Sequence, residues 1–205
     1  RALLRRADLR VVVSSATLDP RLFQRFFGGL GKEVPLVSID SRPFPVDIRW
    51  RPQRSGDFDE LIESVCRTVQ RIHEADEEGD VLVFLAGAAA IRRCEERLTQ
   101  LGVHRGGVIL PLFGGLTRDE QERIFSEMPG LRKIVLSTNI AETSVTVPGV
   151  RHVIDTGRVK VMHVQPKTGV RTLREELVSQ ASADQRAGRA GRTAPGTCTR
   201  LYSEH

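Results

Sequence analysis

Residues 81–85 read VLVFL and residues 88–101 read AAAIRRCEERLTQL. The first run is apolar at every position, as a strand buried on both faces is. In the second, Ile91, Cys94 and Leu98 recur every three or four residues, which puts them on one face of a helix. The same alternation extends in both directions. Upstream lie an apolar β-branched run at Leu9–Val13, a helix at Asp19–Phe27, strands near Val34–Ile39 and at Val46–Trp50, and a helix carrying Leu61, Ile62, Val65, Val69 and Ile72. Downstream come strand Val108–Phe113, a helix over 118–128 with a capping box at Thr117 and Glu120, and strands Lys133–Leu136 and Val150–Ile154. Alternation of this kind predicts an α/β fold, a parallel sheet with helices on both faces.

Two segments break the rhythm. Arg158–Val164 and Val170–Val178, joined by Gln165-Pro166-Lys167-Thr168-Gly169, read as an inserted β-hairpin. Ala181–Arg189 reads as a short helix, followed by a strand at Cys198–Tyr202. Ser41-Arg42-Pro43-Phe44-Pro45 is the best linker, because two prolines at that spacing resist helix and sheet interior alike. It divides the chain into residues 1–42, the end of one α/β domain, and residues 43–205, a second. The opening RALLRRADLR carries no leader pattern and reads as a segment cut from a longer chain.

A chain of 205 residues with 40% hydrophobic and 28% charged side chains can bury a core, which excludes disordered and low-complexity classes. Its apolar runs are too short to span a bilayer. Cys66, Cys94 and Cys198 are odd in number and far apart, which fits a reducing compartment, the cytoplasm or, in a eukaryote, the nucleus. The histidine spacings offer no metal site in this segment. Net charge is +5, and the whole excess lies after residue 150, where 10 basic side chains meet 5 acidic ones. Such asymmetry points to a polyanion, nucleic acid or nucleotide phosphate; an Arg-rich solvated surface has the same composition.

The chemistry concentrates in QRAGRAGR at 185–192. Gln185, Arg189 and Arg192 stand at i, i+4 and i+7, so a helical face presents one amide and two guanidiniums. Gly188 and Gly191 each weaken a helix by roughly 1 kcal/mol, a cost that close approach of a phosphate or another backbone explains. Forked arginine donors suit a transferring phosphoryl group. The plain alternative is a Ser182–Gln185 capping box with the arginines in water.

QRAGRAGR resembles the last motif of superfamily-2 helicases. STNIAETSVTVPG at 137–149 is similar to the fifth motif of the DEAH-box RNA helicases, and SAT at 15–17, VLVFLAG at 81–87, LPLFGGL at 110–116 and RLYSE at 200–204 follow that family's order. The resemblance implies a second RecA-like domain preceded by the tail of the first. It implies catalytic contacts to the ATP phosphates from Gln185 and from Arg189 and Arg192 as arginine fingers, nucleotide contacts at Phe125 (adenine stacking) and Thr146 (ribose), and RNA contacts at Gly87, Thr138, Asn139 and Lys160. Ser15, Ala16 and Thr17 would couple nucleotide state to domain movement, and the hairpin, with Lys160, Lys167 and Arg171, would act as a strand-separating wedge. ATP or another NTP and Mg²⁺ are the implied cofactors, the metal ligands lying upstream with the phosphate loop and DEAH tetrad that these residues lack. The implied partners are single-stranded RNA, the upstream RecA-like domain, a downstream winged-helix region and an activator protein, with no membrane.

Each of these positions also has a bland reading. Ser15 and Thr17 serve as helix caps, Phe125 as an ordinary core residue, Thr138 and Asn139 as a polar loop, and the hairpin charges as edge protection. Two departures stand out. Ala88, Ala89 and Ala90 occupy the place of paired acidic residues, and Pro148 stands where many relatives carry Asp. The alanine run favours a degenerate, non-catalytic scaffold as the second reading; a DNA helicase is a third.

Overall fold

Val81, Val83 and Leu85 are buried against one layer of helices and Leu82 and Phe84 against the other, so a single strand feeds two cores. The computed structural model describes residues 6, 8–14, 20–29, 31, 34–37, 44–53, 56–143, 145–165 and 168–204. Among these the elements are helix α1 (Pro20–Gly28), strand β1 (Val46–Trp50), α2 (Phe58–Glu74), β2 (Asp80–Phe84), α3 (Ala88–Gln100), β3 (Gly107–Leu112), α4 (Arg118–Phe125), β4 (Arg132–Ser137), α5 (Ile140–Thr143), β5 (Val150–Asp155), β6 (Arg158–Val164), β7 (Arg171–Leu177), α6 (Gln180–Ala187) and β8 (Gly196–Arg200). They fall into two compact units, Arg1–Ser41 and Arg42–His205.

The larger unit is built on a six-stranded sheet in the order β1-β8-β5-β2-β4-β3. Every pairing in it is parallel. Helices α2 and α3 cover one face through Leu61, Val65, Ile91, Cys94 and Leu98. Ile124 of α4, Ala141 of α5 and Ala187 of α6 cover the other. Each fully buried aliphatic or aromatic side chain contributes about 1.5–3 kcal/mol over leaving it in water. The expected α/β architecture with helices on both faces is therefore the one observed. The expected hairpin is present as an antiparallel pair, β6 with β7, outside the main sheet.

Local signals place most helix starts. Asp57 accepts from the Glu60 amide at 3.3 Å to start α2. The capping box opening α4 is complete: the Thr117 hydroxyl accepts from the Glu120 amide, and the Glu120 carboxylate takes the Thr117 amide at 2.8 Å. That helix ends at Phe125 rather than 128, because Ser126 is already extended (ψ 142°) and Pro129 keeps Met128 out of helical geometry. The last strand runs 196–200 rather than 198–202, since the chain bends beyond Arg200.

Two expectations fail in the smaller unit. Residues 9–13 and 34–37 join no ladder, and Val11, Val12, Val13, Leu36 and Val37 are exposed. A β-branched run becomes a strand only when a neighbour supplies the other half of its hydrogen bonds, and none of the described residues does so. Ser15–Thr17, Ser41–Pro43 and Lys167 lie outside the described residues. Among the described residues no helix is long and apolar enough to cross a membrane, and no group of His, Cys, Asp and Glu is arranged to hold a metal ion.

His152 on β5 gives this fold a pH dependence. Its Nε2–H donates to the Glu78 carbonyl at 3.0 Å, which leaves Nδ1 to accept from the Thr197 hydroxyl, also at 3.0 Å. Burial holds its pKa below the ordinary imidazole value, against the opposing pull of the Glu78 carbonyl and Glu77. A depressed base takes its proton first in the unfolded chain, so stability present above about pH 6.5 declines as the pH falls below it. Thermal melts from pH 8 to pH 5 are expected to show that decline, and His152→Gln to flatten it.

Candidate functional site

In a parallel sheet the loops at the C-terminal ends of the strands gather along one edge, where such sheets bind ligands. Strands β2, β4 and β5 are adjacent; the exits of β2 and β4 carry Gly87, Thr138 and Asn139, and Lys160 lies on β6, which follows β5. The Leu85 amide donates to the Ser137 carbonyl at 2.8 Å, which ties the loop ending in Gly87 to the start of Thr138-Asn139. A Cβ on Gly87 would sit 3.1 Å from Cδ of Lys160 and 3.3 Å from its Nζ, so the glycine and the lysine meet. The Thr138 amide donates to the Leu112 carbonyl, and the Asn139 carbonyl accepts from the Glu142 amide to start α5. Asn139 and Lys160 are exposed and Thr138 is half-buried.

The hairpin extends from this edge. Its root is fastened by the Thr156 hydroxyl, which donates to the Phe84 carbonyl at 2.8 Å, and by the Val178 amide on the Gly157 carbonyl at 2.9 Å. Some of its charges are internally paired: Arg158 lies 2.9 Å from Glu175, and His163 bonds Glu176. Arg171 is exposed.

The glycine–arginine stretch does not form the single helical face that its spacing suggests. Helix α6 starts at Gln180 with Ser179 as its cap, not in a Ser182–Gln185 box, and it stops at Ala187. The chain continues in tight turns, with the Arg189 amide on the Arg186 carbonyl and the Ala190 amide on the Ala187 carbonyl. As a result Gln185 is half-buried, Arg189 turns inward and Arg192 is exposed. Arg189 donates through Nη1 to the Val145 carbonyl at 2.8 Å and through Nη2 to the Glu142 carbonyl. Burial, reinforced by neighbouring Arg192, pulls its pKa down to about 10 while Glu142 opposes the shift. Arg192 donates to the Thr146 hydroxyl, so two of the expected nucleotide contacts do meet. Phe125 is not a core residue: it is 40% exposed, while the neighbouring Ile124 is fully buried.

Arg186 was not singled out by the spacing argument, yet it is the largest fully buried side chain among the described residues. Its Nε donates to Glu142 at 3.0 Å, and its Nη1 donates to Asp155 at 2.8 Å and to the Arg158 carbonyl at 3.3 Å. The guanidinium lies 4.9 Å from the centre of the Phe84 ring. Asp155 also accepts from the Gly157 amide and the Tyr202 hydroxyl, each at 2.9 Å. Burial and that carboxylate push the Tyr202 phenol pKa up. The sequence did hold a signal: Ala183, Arg186, Ala187 and Ala190 fall at i, i+3, i+4 and i+7, a small-residue stripe with one charge on it.

The two glycines of the stretch serve different ends. A Cβ on Gly191 would lie 2.4 Å from the Phe44 carbonyl oxygen and 2.8 Å from Val46, so a second backbone occupies that space. At Gly188 the nearest atoms would be helical carbonyls at 3.4 Å and 3.5 Å, and its φ of −59° suits any residue. Gly191→Ala is therefore expected to destabilise the fold by about 1–3 kcal/mol. Gly188→Ala should leave it unchanged or slightly more stable, and paired denaturant titrations will separate the two.

The comparisons with known proteins agree with this geometry. The model of the helicase conserved C-terminal domain matches residues 60–194. The chain is 40% identical over 203 residues to the ATP-dependent RNA helicase HrpA of Escherichia coli, covering 98% of this chain and 15% of that protein. It is 42% identical over 210 residues to the probable ATP-dependent RNA helicase DHX35 homolog of Caenorhabditis elegans, covering 97% of this chain and 28% of that protein. Among solved structures, the E. coli DExH-box NTPase HrpB superposes with a TM-score of 0.81 at 36% identity, over 97% of this chain and 24% of that one. The chain thus spans less than a third of the length of the relatives it matches. With the family model running from α2 through the glycine–arginine turn, the chain belongs to the helicase conserved C-terminal domain family, in its DEAH-box branch.

Proposed function

We propose that the chain is the second RecA-like domain of an ATP-dependent RNA helicase, with residues 1–42 the end of the first. The observation that carries this reading is the turn at 188–192. Arg192 is exposed beside Thr146, and Arg189 keeps its charge against burial that depresses its pKa to about 10. A guanidinium has five N–H donors, and the two Arg189 nitrogens that bind carbonyls leave others to spend. A phosphate arriving there would offset the burial cost and accept charge-assisted bonds from both arginines.

In this proposal the residues of this domain contact ATP. Phe125 stacks on the base, Thr146 stands near the ribose, and Gln185, Arg189 and Arg192 take the phosphates. Mg²⁺ would be held by ligands upstream of these residues, where it would help neutralise the phosphates. Arginines so placed neutralise charge that builds on the transferring phosphoryl oxygens, with no proton to move. Thr138 and Asn139 hold phosphates of single-stranded RNA, with Gly87 admitting the backbone and Lys160 adding charge beside it. Ser15, Ala16 and Thr17 link nucleotide state to domain movement, so that closure and opening step the RNA grip along the strand. The hairpin stands at the channel as the separating wedge. A winged-helix region comes next in the chain, and an activator protein can bind the assembled enzyme. Three buried free cysteines, Cys66, Cys94 and Cys198, support a cytoplasmic or nuclear setting.

The second reading is a nucleic-acid-binding scaffold without turnover, favoured by Ala88–Ala90 at the start of α3. ATP hydrolysis by the parent protein, with and without single-stranded RNA, separates the two. RNA-stimulated turnover is expected, with Arg192→Ala lowering kcat by about 10³-fold or more while RNA affinity stays nearly unchanged. A folded parent that binds RNA yet hydrolyses nothing selects the scaffold.

A further inference from the structure

Helix α5 and strand β5 each place a carboxylate against α6. The Glu142 side chain is 14% exposed and that of Asp155 is inaccessible, as is that of Arg186 between them. One guanidinium therefore bridges two acids from two elements. The Ser182 hydroxyl donates to Glu142, and the Tyr202 hydroxyl and Gly157 amide donate to Asp155, all of them neutral. Among these groups the acids exceed the bases by one. Two further cations stand by: the Arg189 Nη2 bonds the Glu142 carbonyl and the Glu142 charge favours its protonated form, while Arg200 lies opposite Asp155 on β8.

A buried carboxylate without a partner charge is strongly unfavourable, so it draws in whatever cation is near. Were Arg186 neutral, the Glu142 carboxylate would be left to Arg189, while Asp155 would still have Arg200, its register partner on β8. We propose that Arg186 is a positioning residue: by bridging Asp155 and Glu142 it neutralises Glu142, stops that carboxylate from capturing Arg189, and so leaves Arg189 and Arg192 to a phosphate. Replacing the arginine and its acids together by hydrophobic side chains of similar volume would cost little stability, whereas removing Arg186 alone leaves buried carboxylates bare. The inference rests on the nucleotide-binding role proposed above for Arg189 and Arg192.

The test uses the full-length parent protein, its RNA-stimulated ATP hydrolysis and its thermal melting. In Arg186→Met the uncompensated Glu142 captures Arg189, and kcat is expected to fall about 10²-fold, the scale of a misplaced catalytic group, with a smaller change in KM for ATP. Adding Glu142→Gln to that variant removes one of the two acids and should recover at least part of the lost kcat. Losses that multiply in the double variant, as independent structural damage does, overturn the proposal. Arg186→Lys keeps the charge, so it serves where Arg186→Met does not fold. A Lys variant that folds and retains most of its turnover supports charge neutralisation, and one that folds yet loses as much as expected for Met overturns it. If the unsubstituted parent shows no RNA-stimulated turnover at all, the nucleotide-binding reading itself fails and this inference falls with it.

Discussion

A carboxylate with no access to solvent, Asp155, fastens the middle of the sheet to the hairpin, to α6 and to the chain beyond β8. It ends β5, which lies between β8 and β2. Its oxygens accept from the Gly157 amide at the hairpin root, from Arg186 on α6 and from the Tyr202 hydroxyl. The backbone repeats the junction, with the Leu201 amide on the Asp155 carbonyl at 2.9 Å. Removing one partner of a buried charge typically costs about 3–5 kcal/mol, because the other is left bare. The sheet edge, the hairpin and the arginine turn are thus held by a shared set of bonds.

Around that junction the two candidate binding surfaces share a short stretch of chain. Thr138 and Asn139 open it at the exit of β4, and Val145 and Thr146 close it three residues beyond Glu142. The first pair follows Ser137, whose carbonyl holds the Leu85 amide at the start of the Gly87 loop, and the second meets Arg189 and Arg192. Helix α5 between them has four residues, too few to be stable by itself. Ala141 in the core and the contacts of Glu142 with α6 set where it stands.

The hairpin shows how a weak element is made usable. Two strands alone are marginal in water, and Met162, Leu173 and Leu177 remain exposed. At its root the Thr156 hydroxyl bonds the sheet at Phe84, Arg186 of α6 bonds the Arg158 carbonyl, and the Val178 amide closes the pair on Gly157. An element anchored at one end can present Lys160 beside Gly87 without burying either strand.

Much of this was legible from local pattern. The strand at 81–85, the inward positions Ile91, Cys94 and Leu98, the capping box at Thr117 and the hairpin all come from periods and caps, which act over a few residues. The runs at 9–13 and 34–37 misled because a strand depends on a partner that its own sequence does not name. The stretch 185–192 stood out for its arginines and glycines, but its internal division did not. Spacing grouped Arg189 with Arg192 and passed over Arg186, whereas the fold buries Arg186 and Arg189 and leaves Arg192 exposed. The difference lies in where acceptors arrive. The carbonyl that turns Arg189 inward belongs to a residue 44 positions away, and the carboxylate that anchors Arg186 lies 31 positions away. Sequence alone determined which elements form and where the arginines and glycines cluster. Only the tertiary structure decided which guanidiniums are buried, because charge burial is settled by distant groups that the fold brings within bonding distance.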